Sequence, residues 1–82
     1  MAGFKDFLDI RLMENGVYLC GFCKMDLADG DVIDYKVFGV ENFEEVAKFT
    51  RENFTKDESR IVKVINTISK SGECHISEVH NI

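Results

Sequence analysis

The sequence predicts an α+β domain, a three- to four-stranded antiparallel sheet with two helices packed on one face. Two observations carry this. The first half of the chain alternates apolar and polar residues with a period of two, around glycine-containing turns. From Asn42 onward the apolar period lengthens to that of a helix, and it does so twice. With 82 residues and no linker, repeat or low-complexity stretch, residues 1–82 read as a single domain.

The strands come first. Leu8, Ile10 and Leu12 alternate with Asp9, Arg11 and Met13. Asn15-Gly16 follows, a pair that tolerates positive φ at both central positions of a two-residue hairpin turn. That turn sets Leu12 opposite Leu19, Ile10 opposite Gly21 and Leu8 opposite Cys23. The second strand then runs from Val17 to about Leu27, into Ala28-Asp29-Gly30. A three-residue loop there places Met25, Cys23 and Gly21 opposite Ile33, Tyr35 and Val37 and extends one apolar face. A two-residue turn would put Asp34 and Lys36 on that face instead, because a one-residue slip inverts the faces.

The helices follow. Asn42 with Glu45 three residues on is a start signal of the capping-box kind. Phe43, Val46, Ala47, Thr50 and Phe54 share the helical face behind it. Thr55-Lys56-Asp57-Glu58 is a second start signal, Ile61, Val64, Ile65 and Ile68 recur at helical spacing, and Gly72 is a stop. Residues 73–82 read as either a short fourth strand or an irregular end.

Composition narrows the function classes. No apolar run approaches the roughly 20 residues of a membrane span. MAGFKDFLDI carries acids where a signal peptide needs an apolar stretch, so a cytoplasmic location is expected. A formal net charge of −5 argues against direct nucleic-acid binding, which relies on Lys and Arg to displace counterions. An acidic track of Asp26, Asp29, Asp31, Asp34, Glu41, Glu44 and Glu45 raises a variant in which the chain imitates a phosphate backbone.

LCGFCKM holds Cys20-x-x-Cys23 and resembles the active-site turn of a thioredoxin. Such a site needs its first cysteine at a helix N-terminus, where the dipole favours the thiolate, and as a family feature a cis-proline faces it. This chain has no proline, and a helix opening at Cys20 would have to stop by Asp29-Gly30-Asp31. In the strand reading the two cysteines point to opposite faces, with Cys23 in the core, and cannot form a disulfide. Cys74 and His75 complete a nominal Cys3His set, but structural zinc pairs sit on tight turns and these do not. No metal site, cofactor or catalytic residue is assigned, and the chain reads as a non-enzyme. A thiol oxidoreductase remains the rival class.

In the two-residue register the uncovered sheet face mixes aromatic, apolar and charged groups, as protein interfaces do. The candidate partner contacts on it are Arg11, Met13, Tyr18, Phe22, Lys24 and Asp34. A homodimer through the same face is the alternative.

Three sequence features carry a family resemblance. Glu14-Asn15-Gly16 closes the first hairpin, a helix follows the third strand, and Arg60-Ile61, Asn66 and Ile68-Ser69-Lys70 lie on the last helix. Over roughly residues 8 to 71 this resembles the small phage-encoded anti-CRISPR proteins of the type I-F inhibitor kind. The resemblance implies a non-enzymatic inhibitor that binds a crRNA-guided surveillance complex and blocks target DNA. In that family an aromatic just before ENG and an acid on the second strand are the expected contacts. Here those positions hold Met13 and Lys24, so the binding surface departs from the family pattern.

Overall fold

The computed structural model describes residues 3–81. In chain order they form β1 (Phe4–Leu12), β2 (Tyr18–Asp26), β3 (Val32–Val40), α1 (Phe43–Asn53), α2 (Glu58–Ser71) and β4 (Glu73–His80). The strands make one antiparallel sheet of order β3-β2-β1-β4, and both helices lie on one face of it. The segment left open by the sequence is thus a fourth strand, paired along β1.

The first turn differs from the expected one. The N–H of Met13 donates to the Val17 carbonyl at 2.8 Å, and that of Gly16 donates to the Met13 carbonyl at 3.0 Å. Gly16 has φ +84°, while Asn15 keeps negative φ. This is a three-residue loop, a type I turn whose last residue, Gly16, forms a left-handed bulge. The extra loop residue slips the register by one, so Leu12, Ile10 and Leu8 face Tyr18, Cys20 and Phe22. The expected pairing with Leu19, Gly21 and Cys23 is corrected accordingly.

The reason lies in what each register buries. In the two-residue register the position beside Ile10 would be Gly21, which has no side chain to pack. The observed register buries Phe22 instead, and full burial of a phenylalanine contributes roughly 1.5–3 kcal/mol. Leu8, Ile10, Cys20, Phe22 and Cys74 form the sheet's side of the core, with Val46, Phe49, Val64 and Ile68 from the helices. Cys23, expected in the core, faces away from it.

The β2–β3 pairing follows the expectation over its centre, with Cys23 opposite Tyr35 and Gly21 opposite Val37. Nearer the turn it does not. The connection is four residues, Leu27 to Gly30, held by the Asp26 N–H on the Asp31 carbonyl (2.8 Å) and the Gly30 N–H on the Asp26 carbonyl (2.9 Å). Two aspartate side chains help: Asp26 and Asp29 each accept a backbone N–H two residues on. A bulge at Ile33 absorbs the extra length, so Met25 faces Val32 and Lys24 faces Asp34.

The helix signals are read as expected. Asn42 caps α1, its Oδ1 accepting from the Glu45 N–H at 2.9 Å, and Glu45 returns a bond to the N–H of Glu41 rather than of the cap itself. Asp57 caps α2 through the Ser59 N–H. Gly72 ends α2 in the left-handed conformation, and its carbonyl accepts from the Leu12 N–H at 2.7 Å, which delivers the chain into β4 beside β1. Phe49, absent from the expected helical face, is buried against Phe38, with ring centroids 5.9 Å apart.

Candidate functional site

Because the register inverts β2 and β3 relative to β1, the uncovered face is not the one the sequence predicts. It carries Phe7, Asp9 and Arg11 from β1, Leu19, Gly21 and Cys23 from β2, Tyr35 and Val37 from β3, and His75 and Ser77 from β4. Gly21, without a side chain, opens a concavity of about 430 Å³ in the middle of this face. Met13, Leu19, Tyr35 and Val37 line its apolar part, and Arg11, Asp9 and His75 line its polar rim.

Of the six residues singled out as partner contacts, Arg11 and Met13 lie at this concavity. Phe22 also borders it, but is only 5% exposed and belongs to the core. The other three do not line it. Tyr18 is half-buried on the helix side, its ring 5.3 Å from that of Phe43. Lys24 is also on the helix side, its ammonium 3.9 Å above the Phe4 ring. Asp34 is half-buried on that side as well, 4.0 Å from Lys36. Their removal from the uncovered face is a direct consequence of the one-residue slip in the first hairpin. In exchange the face gains Leu19, Cys23, Tyr35 and Val37, which the sequence assigns to the core. The signal for this exchange was Phe22 itself, a large side chain between Gly21 and the smaller Cys23 of opposite parity.

The polar rim is built across two strands. Asp9 on β1 stands opposite His75 on β4, and its Oδ1 lies 2.6 Å from His75 Nδ1. Glu73 approaches the other ring nitrogen at 3.4 Å. The hydrogen bond to Asp9, together with the charges of Asp9 and Glu73, raises the His75 pKa above that of an ordinary histidine. The Asp9–His75 pairing depends on β4 lying beside β1, which local sequence signals do not specify.

The cysteines separate as their spacing requires. Cys20 points into the core and burial pushes its thiol up to about 11, opposite to what a nucleophilic cysteine needs. Cys74 is buried on the same side, and burial raises its pKa too. Cys23 faces the other way, onto the concavity. The faces of Cys20 and Cys23 are thus the reverse of those expected, while their divergence stands. Among the described residues, no group of three or more His, Cys, Asp or Glu side chains is placed to hold a metal ion. No helix among them is long and apolar enough to cross a membrane.

Comparison with protein-family models, with curated proteins and with solved structures finds no match.

Proposed function

We propose that this domain acts by binding rather than by chemistry, using the uncovered sheet face to dock on a larger protein or nucleoprotein complex. The observation that carries the reading is the concavity over Gly21, with exposed Leu19, Met13, Tyr35 and Val37 inside it and Arg11 on its rim. A solvated face of an antiparallel sheet normally carries polar side chains. Apolar and aromatic anchors around a central depression, with an arginine beside them, are the make-up of interface cores. The chemistry of the cysteines supports the same reading, since the two thiols of the CxxC stretch lie on opposite sides of the sheet.

For the partner class, the resemblance to type I-F anti-CRISPR proteins points to a crRNA-guided surveillance complex whose access to target DNA would be blocked. On this reading the chain works in the host cytoplasm as a phage-encoded inhibitor. The contacts are then Arg11, Met13, Leu19 and Tyr35.

The test is capture of crRNA-bound complexes from bacterial lysate by tagged protein, followed by target-DNA binding of the captured complex. Stoichiometric capture with loss of DNA binding is expected, together with its abolition by Leu19→Arg at unchanged thermal stability. Capture that Leu19→Arg leaves intact would remove this face from the site, and capture of no nucleoprotein would end the inhibitor reading. An apolar anchor also predicts affinity nearly flat with salt, whereas imitation of a phosphate track by the acidic residues predicts a steep fall.

A further inference from the structure

β3 is an edge strand, and apart from Lys36 and the bulge at Ile33 it carries little of the usual edge protection. Over nine residues, VIDYKVFGV, it carries one acid and one base. Val32, Ile33, Tyr35 and Phe38 are each more than half exposed, Tyr35 at 67%. The opposite edge, β4, carries Glu73, His75, Glu78 and His80, the charged pattern that discourages pairing.

The backbone of β3 is also available. Antiparallel ladders alternate between residues that bond the neighbouring strand and residues that face away. The bonded pair Met13–Val17 starts this alternation in β2, and it turns the N–H and C=O groups of Tyr35 and Val37 toward the open edge. Tyr35 shows this directly: its N–H donates to the carboxylate of the preceding residue, Asp34, at 2.9 Å. That bond is local and is replaceable by a strand.

The sequence of the edge is symmetric in character about Tyr35. One residue to either side stand Asp34 and Lys36, two residues away Ile33 and Val37, and three residues away Val32 and Phe38. An antiparallel second copy centred on Tyr35 therefore sets acid against base and apolar against apolar at every position. Asp34 and Lys36 lie on the helix side of the sheet, already close enough for a 4.0 Å contact within the strand. In the dimer each would meet its opposite charge across the junction. Neighbouring registers lose this match. Centring on Lys36 brings two ammonium groups together at the axis, and centring on Val37 sets Lys36 against Phe38 and Asp34 against Val40.

We infer that β3 pairs with β3 of a second copy of this chain, antiparallel about Tyr35, to give a continuous eight-stranded sheet. The two Tyr35 backbones exchange hydrogen bonds at the two-fold axis. Asp34 releases the Tyr35 N–H and pairs with the partner copy's lysine. The bulge at Ile33 ends the regular ladder, so the junction is short, and side chains of Ile33, Val37 and Phe38 supply its apolar area. This inference uses the backbone edge of β3, whose Tyr35 and Val37 side chains also border the concavity, and it does not depend on the inhibitor reading.

The experiment is sedimentation equilibrium of the purified chain over a concentration series up to roughly millimolar, the range in which a short interface of this kind dissociates. A reversible monomer–dimer equilibrium is expected. Tyr35→Pro removes an outward N–H and the exposed ring but no donor of the β2–β3 ladder, and proline is tolerated on an edge strand, so it should give monomer with an unchanged circular dichroism spectrum. The register is tested by charge. Asp34→Lys and Lys36→Asp should each weaken self-association about tenfold, because two symmetry-related cross-strand pairs become repulsive. Mixed together, those two variants should form a heterodimer, since every 34–36 contact between them is again acid to base. A wild-type chain that stays monomeric throughout, or a mixture that associates no better than its components, would overturn the proposal.

Discussion

Leu8 and Phe22 face each other across the β1–β2 ladder, and both are buried under the helices. That single pairing determines which side of β2 is core and which is surface, and hence where a partner can dock. It also makes the two faces experimentally separable. Phe22→Ala should cost about 3–5 kcal/mol, the usual range for truncating a buried phenylalanine. Leu19→Ser, one strand position from Cys20 but on the other face, should stay within about 0.5 kcal/mol of wild type. Urea denaturation with a common slope reads both. The reverse ranking would mean that β2 is turned over.

The turn that sets this register depends on Gly16. A Cβ at that position would meet no atom within 4 Å, so the cost of replacing it is conformational alone. Gly16→Ala should destabilise by about 1–2 kcal/mol, the penalty for the left-handed conformation in a residue with a Cβ. Gly16→Asn should cost less, because asparagine tolerates that region. Denaturation midpoints of the two variants check the order. Equal costs would argue for a different turn.

The three cysteines should differ in reactivity. Cys20 and Cys74 are buried with raised pKa values, whereas Cys23 lies on the uncovered face. Alkylation of the native protein at mildly alkaline pH, followed by peptide mass mapping, should label Cys23 first and the other two only in denaturant. A fast-reacting Cys20, or a Cys20–Cys23 disulfide after mild oxidation, would restore the oxidoreductase reading.

His75 links β4 to β1 through Asp9 and should respond to pH. Its folded-state pKa is raised, first by the hydrogen bond to Asp9. A group raised on folding contributes stability that is fully present below its unfolded pKa and is lost as pH rises through the folded value. The tie between the two strands therefore weakens on going from mildly acidic to alkaline pH. An NMR titration of the His75 ring should show an elevated midpoint that returns toward the ordinary histidine value in Asp9→Asn. An unchanged midpoint in that variant would place the cause elsewhere. If the uncovered face binds its partner, the charge on His75 also makes that affinity pH-dependent in the same window.

Tyr18 gives a further check on the corrected faces. Expected from sequence to touch a partner, it instead packs on Phe43 at the edge of the core. Tyr18→Ala should therefore lower the thermal midpoint by several degrees, which corresponds to roughly 1 kcal/mol in a domain of this size. Partner capture per folded molecule should be unchanged. Lost capture at full stability would return Tyr18 to the binding surface.

Features settled within a few residues follow from local signals in the chain. The cap at Asn42, the second helix start within Thr55–Glu58, the stop at Gly72 and the two periodicities all depend on local hydrogen bonds and spacing, and the structure has each of them, with Asp57 as the residue that caps α2. The face of β2 was not settled locally, because that strand is apolar on both sides: Leu19, Cys23 and Met25 alternate with Tyr18, Cys20 and Phe22. Asn15-Gly16 fits either a two- or a three-residue loop, so the turn alone could not choose. Tertiary packing chose, because helices laid on the sheet gain far more from covering Phe22 than from covering Gly21. The place of β4 was likewise a long-range matter. Its pairing with β1, and with it the Asp9–His75 contact, forms only once α2 has carried the chain back across the sheet.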